Sequence, residues 1–277
     1  MTKQSKIVLG AFVFLCAGCD SLARMKSSAT EKVVDFIPRQ VDQKLGQVGR
    51  MQAPLSTDSI PAEADKHLAS LVEPLLLAAA LPELKPQFRI TQLSLPNAFA
   101  FPDGSIFFTS KLIEIAETPE EILSVAGHEL AHVARRHSMQ QIVSQAGVSV
   151  ILNFFVGDLG TLADLLSSGS ALLNLKFSRD HEREADALSV QYLAKAQLPT
   201  KGAAMFFERM KKFQEKTVGD AGNSSLFSFI STHPATDERL AWAKSLSEVP
   251  NARLSAQQKT AFNKLKATLS ARTQEQK

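Results

Sequence analysis

The feature that most constrains this chain is His128-Glu129-Leu130-Ala131-His132, two histidines four apart with a glutamate beside the first. On an α-helix, at about 100° per residue, His132 lies about 40° round from His128, so both imidazoles converge on one ion. Glu129 lies about 100° from His128, beside the ligands but aimed elsewhere, which suits a carboxylate that holds the attacking water and takes its proton. The pattern alone arises by chance in roughly one such chain per hundred, so its context matters. Thr118-Pro119-Glu120-Glu121 provides it: an N-cap Thr, Pro at the first helical position and Glu at the third make a capping box. Arg135, Arg136 and His137 then place positive charge where the helix should end. His137, about 180° round from His128 and nearly two turns on, is predicted to be a structural or surface histidine outside the metal site.

Two histidines leave a zinc site incomplete. The obvious supplier of a third ligand is Ser178-Arg179-Asp180-His181-Glu182-Arg183-Glu184-Ala185-Asp186. Glu182 and Asp186 share a helix face, whereas Glu184 points about 160° away from their midpoint. With Glu182 on the metal, Asp186 is placed to accept a hydrogen bond from a ligand imidazole and fix its tautomer. The competing reading is an ordinary solvated, charge-rich helix.

The N-terminus reads as an address. Lys3 and Lys6 precede an uncharged apolar run from Ile7 to Gly18, too short to span a bilayer, which ends in Leu15-Cys16-Ala17-Gly18-Cys19. This resembles the lipobox of bacterial lipoproteins, with residues 1–18 as signal peptide and Cys19 lipidated; an uncleaved anchor or a cut nearby are the alternatives. Both cysteines fall in this segment, which argues against a structural disulfide. Asp20 suggests the inner membrane by analogy with enterobacterial sorting, with the outer membrane as the other choice. Residues 19–60 are expected to be a tether with an r.m.s. reach of roughly 35 Å if fully flexible, shorter if a helix forms over Thr30 to Val41. Without Lys3 and Lys6 the balance is 29 basic against 28 acidic side chains, which excludes the strong basic excess of a nucleic-acid binder. No nucleotide-binding motif is present, so turnover without ATP is expected.

Together, HExxH followed by Glu182-Arg183-Glu184-Ala185-Asp186 resembles the zinc metallopeptidases that include the CAAX prenyl proteases, HtpX, and periplasmic or lipoprotein members such as BepA. The resemblance runs from about Pro96 to Leu246 and takes in Asn97-Ala98-Phe99-Ala100-Phe101-Pro102-Asp103-Gly104 and Thr232-His233-Pro234. It implies an α+β, mainly α-helical, zincin-like (gluzincin) domain over residues 61–250 with a small β-ribbon and one Zn²⁺ per chain. His128, His132 and Glu182 would be the ligands and Glu129 the base. The sequence lacks the transmembrane helices of the prenyl-protease and HtpX branches, which points to the periplasmic branch. Residues near His233 and Arg239 lie at the active site in this family, where they can stabilise an oxyanion; in the periplasmic branch the His can instead approach the zinc and hold the enzyme latent. The sequence leaves that choice open, and a plain surface His-Pro turn with it.

Phe88 to Leu95 and Ile106 to Thr109 are rich in β-formers, and Pro102-Asp103-Gly104 is a turn signal. A ribbon is expected there, and the resemblance implies that residues 97–109, Asn97, Ala98, Phe99 and Ala100 in particular, bind extended peptide by main-chain pairing; a purely structural hairpin is the alternative. Val143 to Val156 and Leu159 to Phe177 are apolar but interrupted, and read as two helices that pack in the core or serve as a lid, client surface or membrane contact. Residues 251–277 form an amphipathic helix expected to pack on the domain through Ala261, Phe262, Leu265 and Leu269. The expectation is thus a lipid-anchored periplasmic zinc endopeptidase acting on misfolded or misassembled envelope proteins. A chaperone or assembly factor with the same site held latent is the alternative, and a structural zinc lipoprotein the weakest reading.

Overall fold

The structure, a computed structural model, describes residues 30–81, 83–147, 149–151, 153, 175–221, 232–233 and 237–275. Its elements run α1 (Arg39–Gln52), α2 (Ala62–Ala79), β1 (Gln87–Thr91), β2 (Ala98–Ala100), β3 (Ser105–Thr109), α3 (Ser110–Ile115), α4 (Pro119–Ala134), α5 (His137–Ala146), α6 (Arg179–Lys195), α7 (Gly202–Ala221), α8 (Asp237–Ser245) and α9 (Ala256–Glu275). This is the mainly helical α+β fold that the sequence predicts, with one small sheet. No helix among the described residues is long and apolar enough to cross a membrane. The signal peptide, Cys19 and residues 154–174 of the apolar stretches lie outside the described residues.

Strand pairing differs from the ribbon expected between residues 88–95 and 106–109. The order is β1-β3-β2: β2 and β3 form the antiparallel hairpin across the turn, while β1 lies parallel to β3 on its other side. Gly104 at φ 88° closes the turn, which its neighbours complete through Phe101 N–H donating to Ser105 O at 2.8 Å. The tighter loop wins because Pro102-Asp103-Gly104 joins the segments immediately flanking it. Period-2 alternation then splits the sheet between two cores. Phe88, Ile90, Ala98, Ile106 and Phe108 face the larger one, built on α2, α4, α6, α7 and α9, and Phe99, Phe101 and Phe107 face the smaller. In α9, Ala261, Phe262, Leu265 and Leu269 are buried against the domain, as the amphipathic pattern predicts.

The smaller core is completed from the stretch read as tether. Residues 30–35 are helical, α1 follows after Pro38, and Val34, Ile37, Val41 and Leu45 are buried against the three phenylalanines and α5. Their three- and four-residue spacing is the apolar stripe of a packed helix. Docking is close, because a Cβ on Gly46 would lie 2.6 Å from Asp103 N at the hairpin turn. Arg50 also reaches Asp103 at 2.8 Å. The helix expected over Val143 to Val156 is not continuous: α5 begins at His137 and ends at Gly147, whose φ of 86° breaks it.

Candidate metal centre

The helix that carries His128 and His132, α4, is an interior helix. Every residue of α4 from Glu121 to Val133 is buried, so the imidazoles project into protein and not into solvent. Its start is set by the capping box, with Glu121 Oε1 accepting Thr118 N–H at 3.2 Å. Helix α6, opened by Ser178, whose hydroxyl accepts His181 N–H at 3.1 Å, runs against α4. Gly127 permits that approach, since a Cβ there would lie 2.5 Å from Ser189 Oγ. Close helices bring one face of each together at the metal position.

Four donor atoms meet there. His128 Nε2 lies 3.0 Å from His132 Nε2 and 3.3 Å from His233 Nδ1. Glu182 approaches all three, at 3.4 Å from His128 Nε2, 3.6 Å from His132 Nε2 and 3.0 Å from His233 Nδ1. One ligand atom from each lies within 4.8 Å of the others, and all four residues are buried. Three imidazoles and one carboxylate, all buried and converging on one point, are a donor set that suits Zn²⁺. Glu129 Oε1 stands beside the set, 3.6 Å from His233 Nε2, buried and hydrogen-bonded to nothing among the described residues. An orphaned buried carboxylate oxygen is what a site built for a metal and its water would leave. The residues present therefore fit the ion.

Behind the donors lies a brace. Asp186 Oδ1 lies 2.9 Å from His128 Nδ1, so His128 carries its proton there and turns Nε2 to the metal. Arg239 on α8 donates to both oxygens of Asp186 at 2.7 and 2.8 Å, and its Nη1 lies 2.6 Å from Glu182 Oε2. The guanidinium is thus turned to the carboxylates behind the ligands. His233 stands among the metal donors themselves.

Electrostatics follow this layout. Burial opposes charge on His128, but its bonds to Asp186 and Glu182 outweigh burial and push its pKa up to about 9 in the metal-free protein. Burial would raise Glu182, yet His233 and His128 hold it far below the usual carboxylate range. At Glu129 burial outweighs the pull of His233 and His128 and raises its pKa, as befits a group that must take up and release a proton.

Beyond His132 lies a cluster that sequence reasoning missed. His137 is buried, with Nδ1 3.0 Å from His132 Nδ1 and Nε2 3.2 Å from Glu184 Oε2. The 180° placement failed because the helix ends first: Arg136 is left-handed at φ 55°, and a new helix starts at His137. The paired arginines at 135 and 136 were the available signal for that break. His181 stacks on His137, ring centroids 4.4 Å apart.

Asn97 immediately precedes β2, which carries Ala98, Phe99 and Ala100 and packs on α4. Bonds between Phe101 and Ser105 and between Thr109 and Asn97 fix the alternation, so the peptide groups of Ala98 and Ala100 face away from β3. Of these, Ala100 O accepts from Ser138 Oγ at 3.4 Å. Asn97 Oδ1 is buried without a partner among the described residues.

The model of peptidase family M48 matches residues 62–247. Mitochondrial metalloendopeptidase OMA1 of Schizosaccharomyces pombe is 27% identical over 177 residues, covering 63% of this chain and 50% of that protein. Metalloprotease LoiP of Escherichia coli is 34% identical over 148 residues, 52% of this chain and 55% of LoiP. The beta-barrel assembly-enhancing protease of Escherichia coli is 28% identical over 162 residues, 53% of this chain and 31% of that protein. The chain thus spans about half or less of the length of these relatives.

Proposed function

The chain belongs to peptidase family M48, and from that premise we propose that it is a zinc-dependent endopeptidase of the bacterial cell envelope. One observation carries the reading: His128, His132, Glu182 and His233 converge while Glu129 offers an orphaned carboxylate oxygen beside them. When bound, zinc would supply Lewis acidity for the attacking water and the scissile carbonyl. His128, His132 and Glu182 would hold it. Glu129 would take the proton of the water and pass it to the leaving amine, a role that its upward-shifted pKa supports. Asp186 and Arg239 would keep the first ligand and the carboxylate in register.

The outward peptide groups of Ala98 and Ala100 support pairing with an extended peptide, a mode that accepts many sequences and suits misfolded or misassembled envelope proteins as substrates. A lipid on Cys19 would hold the enzyme to the membrane on the periplasmic side; the resemblance of Leu15 to Cys19 to a lipobox and the similarity to LoiP and the beta-barrel assembly-enhancing protease support this. The decisive experiment is cleavage of casein by the purified protein beside Glu129→Gln with zinc content measured in both. Loss of at least about 100-fold in rate with zinc retained is expected, and equal cleavage by the two sinks the assignment.

One observation favours a second reading. His233 Nδ1 sits among the ligand donors, where it would complete a closed, four-ligand shell of the latent kind. A protein resting in that state would act chiefly as a chaperone or assembly factor until His233 moves away. His233→Ala separates the two: faster cleavage than wild type marks latency, slower cleavage marks a working role for His233.

A further inference from the structure

The two ligand imidazoles on α4 are held from behind by different chemistry. His128 leans on a carboxylate, which is the common arrangement. His132 leans on another histidine, and elementary proton counting fixes what that means. Its Nε2 faces the metal donors and must be a free lone pair to bind, so its proton is on Nδ1. Nδ1 of His137, 3.0 Å away, must then be the acceptor. His137 consequently carries its own proton on Nε2, which donates to Glu184 Oε2 at 3.2 Å. A flip of the His137 ring would present carbon to both partners and lose both bonds. The ring is also clamped: it stacks on His181 at 4.4 Å and 18°, and His181 is tied by Nε2 to Gln140 Oε1 at 3.2 Å. Phe177 closes over His132, ring centroids 4.1 Å apart.

Resting on the zinc-site reading above, we propose that His137 and Glu184 form a positioning relay that fixes the tautomer and ring orientation of His132 and so keeps the metal bound. Any buried imidazole needs its one N–H paired, but here the second nitrogen is engaged as well, and each partner dictates the state of the next. Removing the acceptor leaves the buried Nδ1–H of His132 unpaired whenever zinc is bound, and lets the ring take the other tautomer when it is not.

The test is zinc affinity of the full chain by competition with a chromophoric chelator, with melting of the metal-free protein as control. His137→Phe keeps ring volume and the stack but removes the acceptor; about 10–100-fold weaker zinc binding is expected, with metal-free melting unchanged or higher. His137→Asn restores an oxygen near the place of Nδ1 and should recover most of the loss. Because position 137 is wholly buried, Glu184→Ala at the accessible end is the companion, expected to weaken zinc binding several-fold without moving the metal-free melt. Wild-type affinity in both His137→Phe and Glu184→Ala overturns the relay, as do parallel losses of affinity and metal-free stability in Phe and Asn alike, which would mark packing. A wild type that fails to bind one zinc overturns the metal-site reading as well, so the two failures are distinguishable.

Discussion

Two buried arginine–aspartate forks flank α4, and as isolated pairs they are nearly the same object. Arg239 grips Asp186 through Nε and Nη2 at 2.7 and 2.8 Å. Arg136 grips Asp42 at 3.1 and 2.5 Å. All four side chains are less than one-tenth exposed. They differ in what else each carboxylate meets. Asp186 also accepts from His128, and these bonds overcome burial and hold it below the usual carboxylate range. At Asp42 burial wins over Arg136, and its pKa is raised. The same fork is therefore a working anion on one flank and a costly charge on the other, and geometry alone does not distinguish them.

Asp186→Ala should have the largest effect. It strips Arg239 of one partner and His128 of its acceptor, so the metal-free fold should lose about 3–5 kcal/mol. Zinc affinity should fall about 10–100-fold as well. Replacing both members, Asp186→Leu with Arg239→Met, should recover much of the stability but none of the zinc affinity, because His128 still lacks its acceptor. Denaturant unfolding beside chelator competition reads both; recovery of zinc binding in the double variant would make the fork merely structural.

The other flank should behave in the opposite way. Asp42→Leu with Arg136→Met ought to leave stability within about 1 kcal/mol of wild type or above it, with zinc affinity little changed. Arg136→Met alone strands the carboxylate, and the sign of its pH dependence follows from the raised pKa. Native Asp42 takes up a proton before the unfolded chain does, so stability contributed by this group falls as pH rises through the native pKa. The single variant should then be nearer to wild type at pH 5 than at pH 8, where the cost approaches about 3 kcal/mol. A cost independent of pH would show that the loss of the bond to Val34 O dominates.

How much of this could be read beforehand divides along the same line. His128, His132, Glu182 and Asp186 are reached from spacing within single helices, which needs only local periodicity, and these four lie together. The relay through His137 depends on one left-handed residue, Arg136, that resets the helical phase. Periodicity within its own helix says only that Glu184 points away from Glu182 and Asp186, whereas its partners Arg135 and His137 come from another part of the chain. In the N-terminal stretch the stripe of Val34, Ile37, Val41 and Leu45 was present, but Pro38 reads as a linker signal when it in fact stands at the N-cap of α1. Parallel pairing of β1 with β3 was out of reach, since it skips β2, which lies between them in sequence and pairs with the other edge of β3.

A third pair calibrates the other two. Arg135 Nε lies 2.8 Å from Glu184 Oε1, within the range of distances in the buried forks, but the side chains are 47% and 35% exposed. Water screens the attraction and would solvate either partner left alone, so distance here should translate into little energy. Glu184→Gln tests this with a minimal change, because the amide oxygen can still accept the Nε2–H of His137 while the charge facing Arg135 is gone. Stability should change by less than about 1 kcal/mol. Zinc affinity should stay within a few-fold of wild type, clearly above that of Glu184→Ala. If Gln and Ala weaken zinc binding equally, the negative charge and not the acceptor is what His137 needs, and the His132 flank then resembles the Asp186 flank more closely than their geometries suggest.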